Sequence, residues 1–356
     1  MNNLKFIAEI ASTHKGNIRR LDKILTQLSK TDTDFIKLQI YKNSNLNHKS
    51  SRFYKNLKRI EISFDNWERI INRYYKRKKI ILEPFDSESY NFCKNFKDKV
   101  FVKISSSEIF NFHMIKDSIL CFKKIFLNIS GCKDIELKKI TKLLSSNRKK
   151  IVLLYGFQSF PSKLKDVRFN LLNRLNKTKF VTGYSDHSNS DIKYEGYIAT
   201  ALAITKKVKY IEKHVTINRN QKPPDFSSSL EIDEYQEYLK YFKETFSLNN
   251  GTYQSLDEKK YGKEMHKFAV LGRNVKKGDL ININDLIFLR IKNHGLTLLD
   301  VKKNVQSKKR FSLECYGLMS PVNKIKNKCL SRLGSYVQQG NAIDRFLGLM
   351  KLDLTA

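Results

Sequence analysis

The sequence predicts an α/β fold, a (β/α)8 TIM barrel followed by a small β-rich domain. Three observations carry this reading. Eight short apolar runs alternate with charged amphipathic stretches through residues 1–250, the pattern of a parallel sheet wrapped in helices. Several of those runs end in polar, reactive residues, as strands do at the C-terminal face of a barrel. The length, 356 residues, suits a barrel of about 250 residues with a second small domain.

The eight runs are Lys5–Ile10, Asp34–Ile40, Lys79–Glu83, Val100–Ile104, Lys124–Ile129, Lys150–Tyr155, Lys179–Tyr184 and Val208–Lys213. The amphipathic stretches include Arg19–Lys30, Phe64–Lys76, Ser87–Phe96, Asp134–Leu144, Lys163–Leu175 and the Ala-rich Tyr194–Lys206. The last barrel helix is expected over Ile232–Phe246. Asn249-Asn250-Gly251 breaks the alternation, and residues 251–266 read as a polar linker. From residue 267 the texture changes to short strands, Phe268-Ala269-Val270, Arg273–Ile281 and Leu286–Arg290, around a Lys-Lys-Gly-Asp turn. That gives a β-rich domain over 267–356, with no assignable pattern beyond about Ser320.

Composition narrows the class. No apolar run approaches the ~20 residues of a membrane span, and the start, Met1–Phe6, has no hydrophobic signal region, so a cytoplasmic protein is expected. The five cysteines are scattered without CxxC spacing and read as reduced thiols. The net charge of +33 invites a nucleic-acid reading. The lysines, however, are spread among Asn and Ile along the whole chain, with no arginine-rich arm or aromatic RNA-binding signature, so no nucleic-acid partner is expected. A basic field would still attract an anionic substrate.

The chemistry concentrates at the strand ends. His187, in Gly183-Tyr184-Ser185-Asp186-His187, and His214, in Tyr210-Ile211-Glu212-Lys213-His214, each close a run, with a helix between. Neighbouring parallel strands would bring the two imidazoles close enough to hold one divalent metal. Glu212, two residues before His214, shares its side of the strand. Strand one ends in Glu9 and leads to His14, which fits either a turn or a site residue. Strand two carries Lys37 and Gln39 on one face, and strand four ends in Lys103-Ile104-Ser105-Ser106-Ser107-Glu108. Lysines aimed into a barrel mouth are costly unless an anion or carboxylate meets them. Two lysines with serines therefore point to a phosphate or carboxylate ligand, and carboxylates beside them to proton transfer.

The ordered motifs Ala-Glu-Ile, Ile-Lys-x-Gln, Pro-Phe-Asp-x-Glu-Ser, Lys-Ile-x-Ser-x-Glu, Gly-Tyr-Ser-Asp-His and Ile-Glu-Lys-His-x-Thr resemble the N-acetylneuraminate (sialic acid) synthase family over residues 4–235. Residues 266–300 resemble that family's C-terminal antifreeze-like (SAF) domain. The resemblance implies condensation of phosphoenolpyruvate with an open-chain N-acetylated hexosamine to a nine-carbon 2-keto sugar acid and phosphate. By the same resemblance, His187 and His214 would hold Mn2+ or Mg2+. Lys37, Lys103, Ser106 and Ser185 would hold phosphoenolpyruvate, and Gln39 would bind substrate or else only orient Lys37. Glu9, Glu108, Glu212 and His187 would serve catalysis, with Glu108 a candidate for proton transfer. Asp225 would lie near the sugar hydroxyls. Arg290 would reach the partner subunit's site, implying a domain-swapped homodimer.

The chain also departs from the family pattern. Thr13-His14-Lys15-Gly16 replaces Asn-His-Asn-Gly, and Tyr155-Gly156-Phe157-Gln158-Ser159-Phe160-Pro161 replaces a run that ends in Tyr-Pro. Gln158 can substitute as an amide donor to phosphate, whereas Phe160 lacks the tyrosine hydroxyl. Pro223-Pro224-Asp225-Phe226 stands for Gly-Pro-Asp-His, and Ile291-Lys292-Asn293 follows Arg290 where Arg-Pro-Gly is usual. These changes imply an altered acceptor sugar or a partly degraded site. The acceptor stays open between N-acetylmannosamine, its 6-phosphate and a diacetamido-trideoxyhexose. Two other readings remain: a different phosphoenolpyruvate–aldose condensing barrel, and a basic binding protein built on an inactive barrel.

Overall fold

The computed structural model describes residues 4–192, 194–248, 255–272, 283–291, 296–301, 311–314, 318–321 and 330–331. The chain divides into two compact units, Met1–Asn250 and Gly251–Ala356.

The first unit is a closed (β/α)8 barrel. Its strands are β1 (Lys5–Glu9), β2 (Phe35–Ile40), β3 (Lys79–Pro84), β4 (Phe101–Ile104), β5 (Ile125–Asn128), β6 (Ile151–Tyr155), β7 (Val181–Asp186) and β8 (Tyr210–Thr216). Each pairs in parallel with the next, and β1 closes the ring on β8, with Glu9 opposite His214. A short β9 (Ser229–Glu231) extends the sheet alongside the end of β8. These strands read as nearly continuous apolar runs because one face fills the barrel and the other meets the helices.

The helices follow from their apolar spacing. Ile18–Leu28 buries Leu21, Ile24, Leu25 and Leu28, and its N-cap Asn17 accepts from the Arg20 amide. Phe64–Tyr74 repeats the arrangement with Trp67, Ile70, Ile71 and Tyr74 behind the cap Ser63. Helix Phe112–Cys121, which the alternation did not single out, starts at a further cap, Asn111. The expected helix over Lys163–Leu175 is shorter, Phe169–Asn176. Its earlier part is diverted because the Arg168 amide donates to the Tyr155 hydroxyl of β6, 2.8 Å away, instead of entering a helix.

Inside the barrel, Ile7, Phe35, Ile81, Phe126, Val152, Leu154 and Tyr210 form their own buried cluster. Phe126 meets Tyr210 edge-on at 5.1 Å and Phe35 at 5.9 Å. Gly183 makes room for this plug. A Cβ there would lie 2.5 Å from Leu154 Cδ2 and 2.9 Å from Tyr210 Cβ. The lower barrel is thus packed solid. Strand side chains alternate with period two. The next inward residues above the plug are therefore Glu9, Lys37, Glu83, Lys103, Asn128, Ser185 and Glu212.

The second unit holds a five-stranded antiparallel sheet in the order β11-β10-β13-β12-β14. These strands are β10 (Phe268–Leu271), β11 (Leu286–Leu289), β12 (Phe311–Glu314), β13 (Leu318–Pro321) and β14 (Leu330–Ser331). Phe268, Ala269, Leu286, Leu296 and Val301 are buried there. The expected strand over 273–281 lies outside the described residues. The polar stretch read as a linker contains a helix, Leu256–Met265, capped by Ser255 accepting from the Glu258 amide at 3.0 Å. Its mostly polar sequence hid it, since no apolar face marks its period. No helix among the described residues is long and apolar enough to cross a membrane.

Candidate active site at the barrel mouth

Above the aromatic plug lies a layer of buried charge. Lys37 Nζ contacts Glu9 Oε2, lies 2.6 Å from Glu83 Oε2 and 3.4 Å from Glu212 Oε1. Lys103 Nζ donates to both oxygens of Glu212, at 2.8 and 3.1 Å, and lies 3.5 Å from Glu83 Oε1. All five side chains are at most 3 % exposed. The Ala11 amide also donates to Glu9, at 2.5 Å.

Electrostatics follow from this packing. Burial alone would raise the Glu212 carboxyl, but Lys103 and Lys37 overcome it and hold it well below the usual carboxylate range. Burial would lower Lys103, and Glu212 and Glu83 reverse the effect and push it up. Burial pulls Lys37 down, opposed by Glu212 and Glu83. With three carboxylates around one nitrogen, the ammonium form prevails at neutral pH.

The two histidines meet beside this layer. His214 stands in β8 and His187 directly follows β7, with ring centroids 5.3 Å apart. Burial lowers His187 to about 4 and, with His187 nearby, takes His214 well below its ordinary value. Both imidazoles are therefore neutral at pH 7. His187 Nδ1 lies 2.8 Å from the Phe157 carbonyl, which fixes the tautomer with the proton on Nδ1 and leaves Nε2 as a free acceptor. His214 Nδ1 and Ser185 Oγ are buried without a hydrogen-bond partner. Phe160 packs against both rings, at 4.4 and 5.6 Å.

Gly156 lets the end of β6 approach Ser185 closely, since a Cβ there would sit 2.3 Å from the Ser185 carbonyl oxygen. Ser130 Oγ accepts from the Gly156 amide at 3.0 Å, tying β6 to the loop after β5.

The structure thus brings together Glu9, Lys37, Lys103, Glu212 and, beside them, Ser185, His187 and His214. Asp225 is half-buried in a left-handed turn at φ 62°. Burial raises its carboxyl against the field of Lys37. Gln39 is half-buried on β2 with its Cα paired to Glu83. Ser106 and Glu108 lie on the turn beyond β4, where Glu108 accepts from Asn111 at 2.8 Å instead of joining the buried layer. Gln158 is exposed. His14 serves its own turn, accepting from the Gly16 amide at 2.9 Å and meeting Trp67 edge-on at 5.9 Å. Arg290 follows β11 in the second unit and is exposed.

Sequence reasoning missed Glu83. Its signal was available, because Glu83 stands two residues beyond the inward Ile81 on the third run. A second buried pair was also missed: Lys213 Nζ lies 2.8 Å from Asp186 Oδ2 and 3.3 Å from Ser188 Oγ. It lies on the helix-facing side of β7 and β8, where Gly196 packs over it, and it explains why Asp186 is absent from the mouth.

Comparison with known proteins agrees with the barrel fold. The profile described as the NeuB family matches residues 24–252. The chain is 26 % identical over 314 residues to the N,N'-diacetyllegionaminic acid synthase of Campylobacter jejuni, covering 82 % of this chain and 92 % of that one. It is 24 % identical over 262 residues to the N-acetylneuraminate-9-phosphate synthase of Drosophila melanogaster, covering 66 % of each. Its fold is similar to the crystal structure of N-acetylneuraminic acid (sialic acid) synthetase from Leptospira borgpetersenii, with a TM-score of 0.64 and 21 % identity. That match covers 74 % of this chain and 93 % of the other.

Proposed function

The chain belongs to the NeuB family, and from that membership we propose that it joins phosphoenolpyruvate to an open-chain N-acetylated hexosamine, releasing phosphate. The product would be a nine-carbon 2-keto sugar acid. The observation that carries the reading is the mouth itself: two buried lysines and three carboxylates beside two neutral imidazoles.

Lys37 and Lys103 would receive the carboxylate and phosphate of phosphoenolpyruvate, with Ser185 Oγ, buried and unpartnered, as a further donor. C3 of phosphoenolpyruvate attacks the aldehyde carbon. Water then adds at C2, and the C2–O bond to phosphate breaks. Glu9 and Glu212 would take up or hold the protons of that water. Glu108 and Asp225 would face the sugar from the surrounding loops, and Gln39, Ser106 and Gln158 would contribute hydrogen bonds once substrate covers the mouth. The second unit is read as an antifreeze-like domain whose Arg290 reaches the sugar in the partner of a domain-swapped homodimer.

The imidazoles fit a divalent ion. His187 keeps Nε2 free and His214 Nδ1 is an orphaned buried acceptor, so each can give a lone pair. Among the described residues, no group of three or more His, Cys, Asp and Glu side chains is arranged to hold a metal. Water and substrate oxygens would therefore supply the other ligands. Such a mixed nitrogen and oxygen set suits Mn2+ better than Mg2+, which favours oxygen octahedra. The bound ion would polarise the sugar aldehyde as a Lewis acid.

The acceptor panel is N-acetylmannosamine, its 6-phosphate and a diacetamido-trideoxyhexose. Incubation of the purified protein with phosphoenolpyruvate, Mn2+ and each sugar, followed by mass spectrometry, tests the reading. A product mass equal to sugar plus phosphoenolpyruvate plus water minus phosphoric acid supports it. Recovery of every sugar unchanged, from folded protein, contradicts it.

A further inference from the structure

We infer that Asn128 is a substrate-binding residue whose side-chain Nδ2 donates to an anionic oxygen of phosphoenolpyruvate, the amide-donor role that the sequence alone points to at Gln158. The inference deepens the phosphoenolpyruvate reading and rests on it.

Asn128 closes β5, two residues beyond Phe126 of the aromatic plug, so its side chain enters the barrel mouth. It is 6 % exposed. The Ser130 backbone N–H lies 3.0 Å from Asn128 Oδ1. A backbone N–H can only donate, so this contact fixes which end of the amide faces the wall. Ser130 is held in turn, because its Oγ accepts from the Gly156 amide at the end of β6. With Oδ1 committed to the wall, Nδ2 is the end left for the mouth. It donates to nothing among the described residues.

A count of donors singles this amide out. The ammonium of Lys37 is met by three carboxylate oxygens, one each from Glu9, Glu83 and Glu212. That of Lys103 is met by both oxygens of Glu212 and by Glu83 Oε1. Each ammonium has three N–H groups, so an arriving anion must displace a carboxylate contact to reach either one. Of the inward side chains in this layer, Asn128 and Ser185 keep a donor unspent, and Ser185 Oγ is buried. Asn128 therefore offers the anion a hydrogen bond that breaks no existing one. Gln158 is exposed on the loop after β6 and loses side-chain freedom on binding, whereas Asn128 is already clamped.

The test is calorimetric binding of phosphoenolpyruvate to full-length protein in Mn2+, for wild type, Asn128→Asp, Asn128→Ala and Gln158→Ala, with circular dichroism to check the fold. Asn128→Asp keeps the shape and the acceptor for Ser130 and loses the donor. Asn128→Ala loses donor and acceptor, adds no charge, and lets water reach the Ser130 amide. Both should bind phosphoenolpyruvate about 10- to 100-fold more weakly, the order expected for losing a hydrogen bond to a charged group. Gln158→Ala should lose less than either. Weakening in Asn128→Ala alone would make the Ser130 clamp the cause, and weakening in Asn128→Asp alone would make it charge repulsion. Either result overturns the inference, as does a larger loss in Gln158→Ala than in Asn128→Ala. Failure of the wild type to bind phosphoenolpyruvate overturns the underlying reading and the inference with it.

Discussion

Replacing Lys103 with methionine should cost the barrel about 3–5 kcal/mol, the range for breaking a buried ion pair by removing one partner. The structure explains why the cost falls at the upper end of single-substitution effects. Lys103 gives Glu212 two hydrogen bonds, at 2.8 and 3.1 Å, and both side chains are at most 3 % exposed. Methionine fills a similar volume, so little of the effect is cavity. The layer instead becomes three carboxylates against one ammonium, −3 + 1 = −2, with only Lys37 left, 3.4 Å from Glu212. For a unit of this size, about 2–4 °C per kcal/mol gives a fall of about 6–20 °C in Tm. Thermal melts followed by circular dichroism at pH 7 would read it. The sign of the pH dependence is a second check. In the wild type Glu212 is held down, so its stabilisation is present at neutral pH and lost in acid. In the variant its carboxyl is raised by burial, so the penalty should shrink as pH falls. Arg174→Met is the control: it removes an exposed pair with Asp134 and should cost under about 1 kcal/mol. A Lys103→Met loss as small as the control would refute the buried-layer account.

Three further outcomes follow from the site. His214→Ala should abolish turnover and Mn2+ binding with a small change in Tm, because His214 Nδ1 makes no hydrogen bond to lose; full activity would sink the metal assignment. Gly156→Ala should destabilise by about 1–3 kcal/mol and raise the KM for phosphoenolpyruvate, since its Cβ would meet the Ser185 carbonyl at 2.3 Å; a variant indistinguishable in both would show that β6 and β7 can separate freely. His14 is held near 4 by burial, and by Arg20 after that, so the unfolded chain binds its proton first as pH drops below about 6.5. Stability should fall with pH between about 6.5 and 4, by up to about 1.4 kcal/mol per unit from this residue, and His14→Asn should flatten that slope in urea titrations.

The barrel was legible because its strands are apolar on both faces and its helices keep a clear 3.6-residue apolar spacing, as in Leu21, Ile24, Leu25 and Leu28. Strand ends were less so. β7 and β8 run to Asp186 and Thr216, past the expected limits, because parallel partners extend ladders that local composition does not show. At the site, Lys37, Lys103, Glu212 and the histidines declared themselves as charge where core was due. Glu83 did not, because a glutamate before proline reads locally as the end of a strand, and only the inward register of Ile81 reveals its aim. Asp186 shows the opposite case: it sits within the histidine motif yet faces outward to Lys213. Helix Leu256–Met265 was hidden by its polarity, with Leu256 and Tyr261 exposed.

The most direct test of the central claim is phosphate release from phosphoenolpyruvate in 18O-labelled water, with Mn2+ and the acceptor panel, followed by 31P spectroscopy. The account predicts release that needs a sugar, stops with EDTA, and yields phosphate without 18O, because water enters at C2 and the C2–O bond breaks. Labelled phosphate, or release that ignores both sugar and EDTA, would mean hydrolysis at phosphorus and would contradict the account.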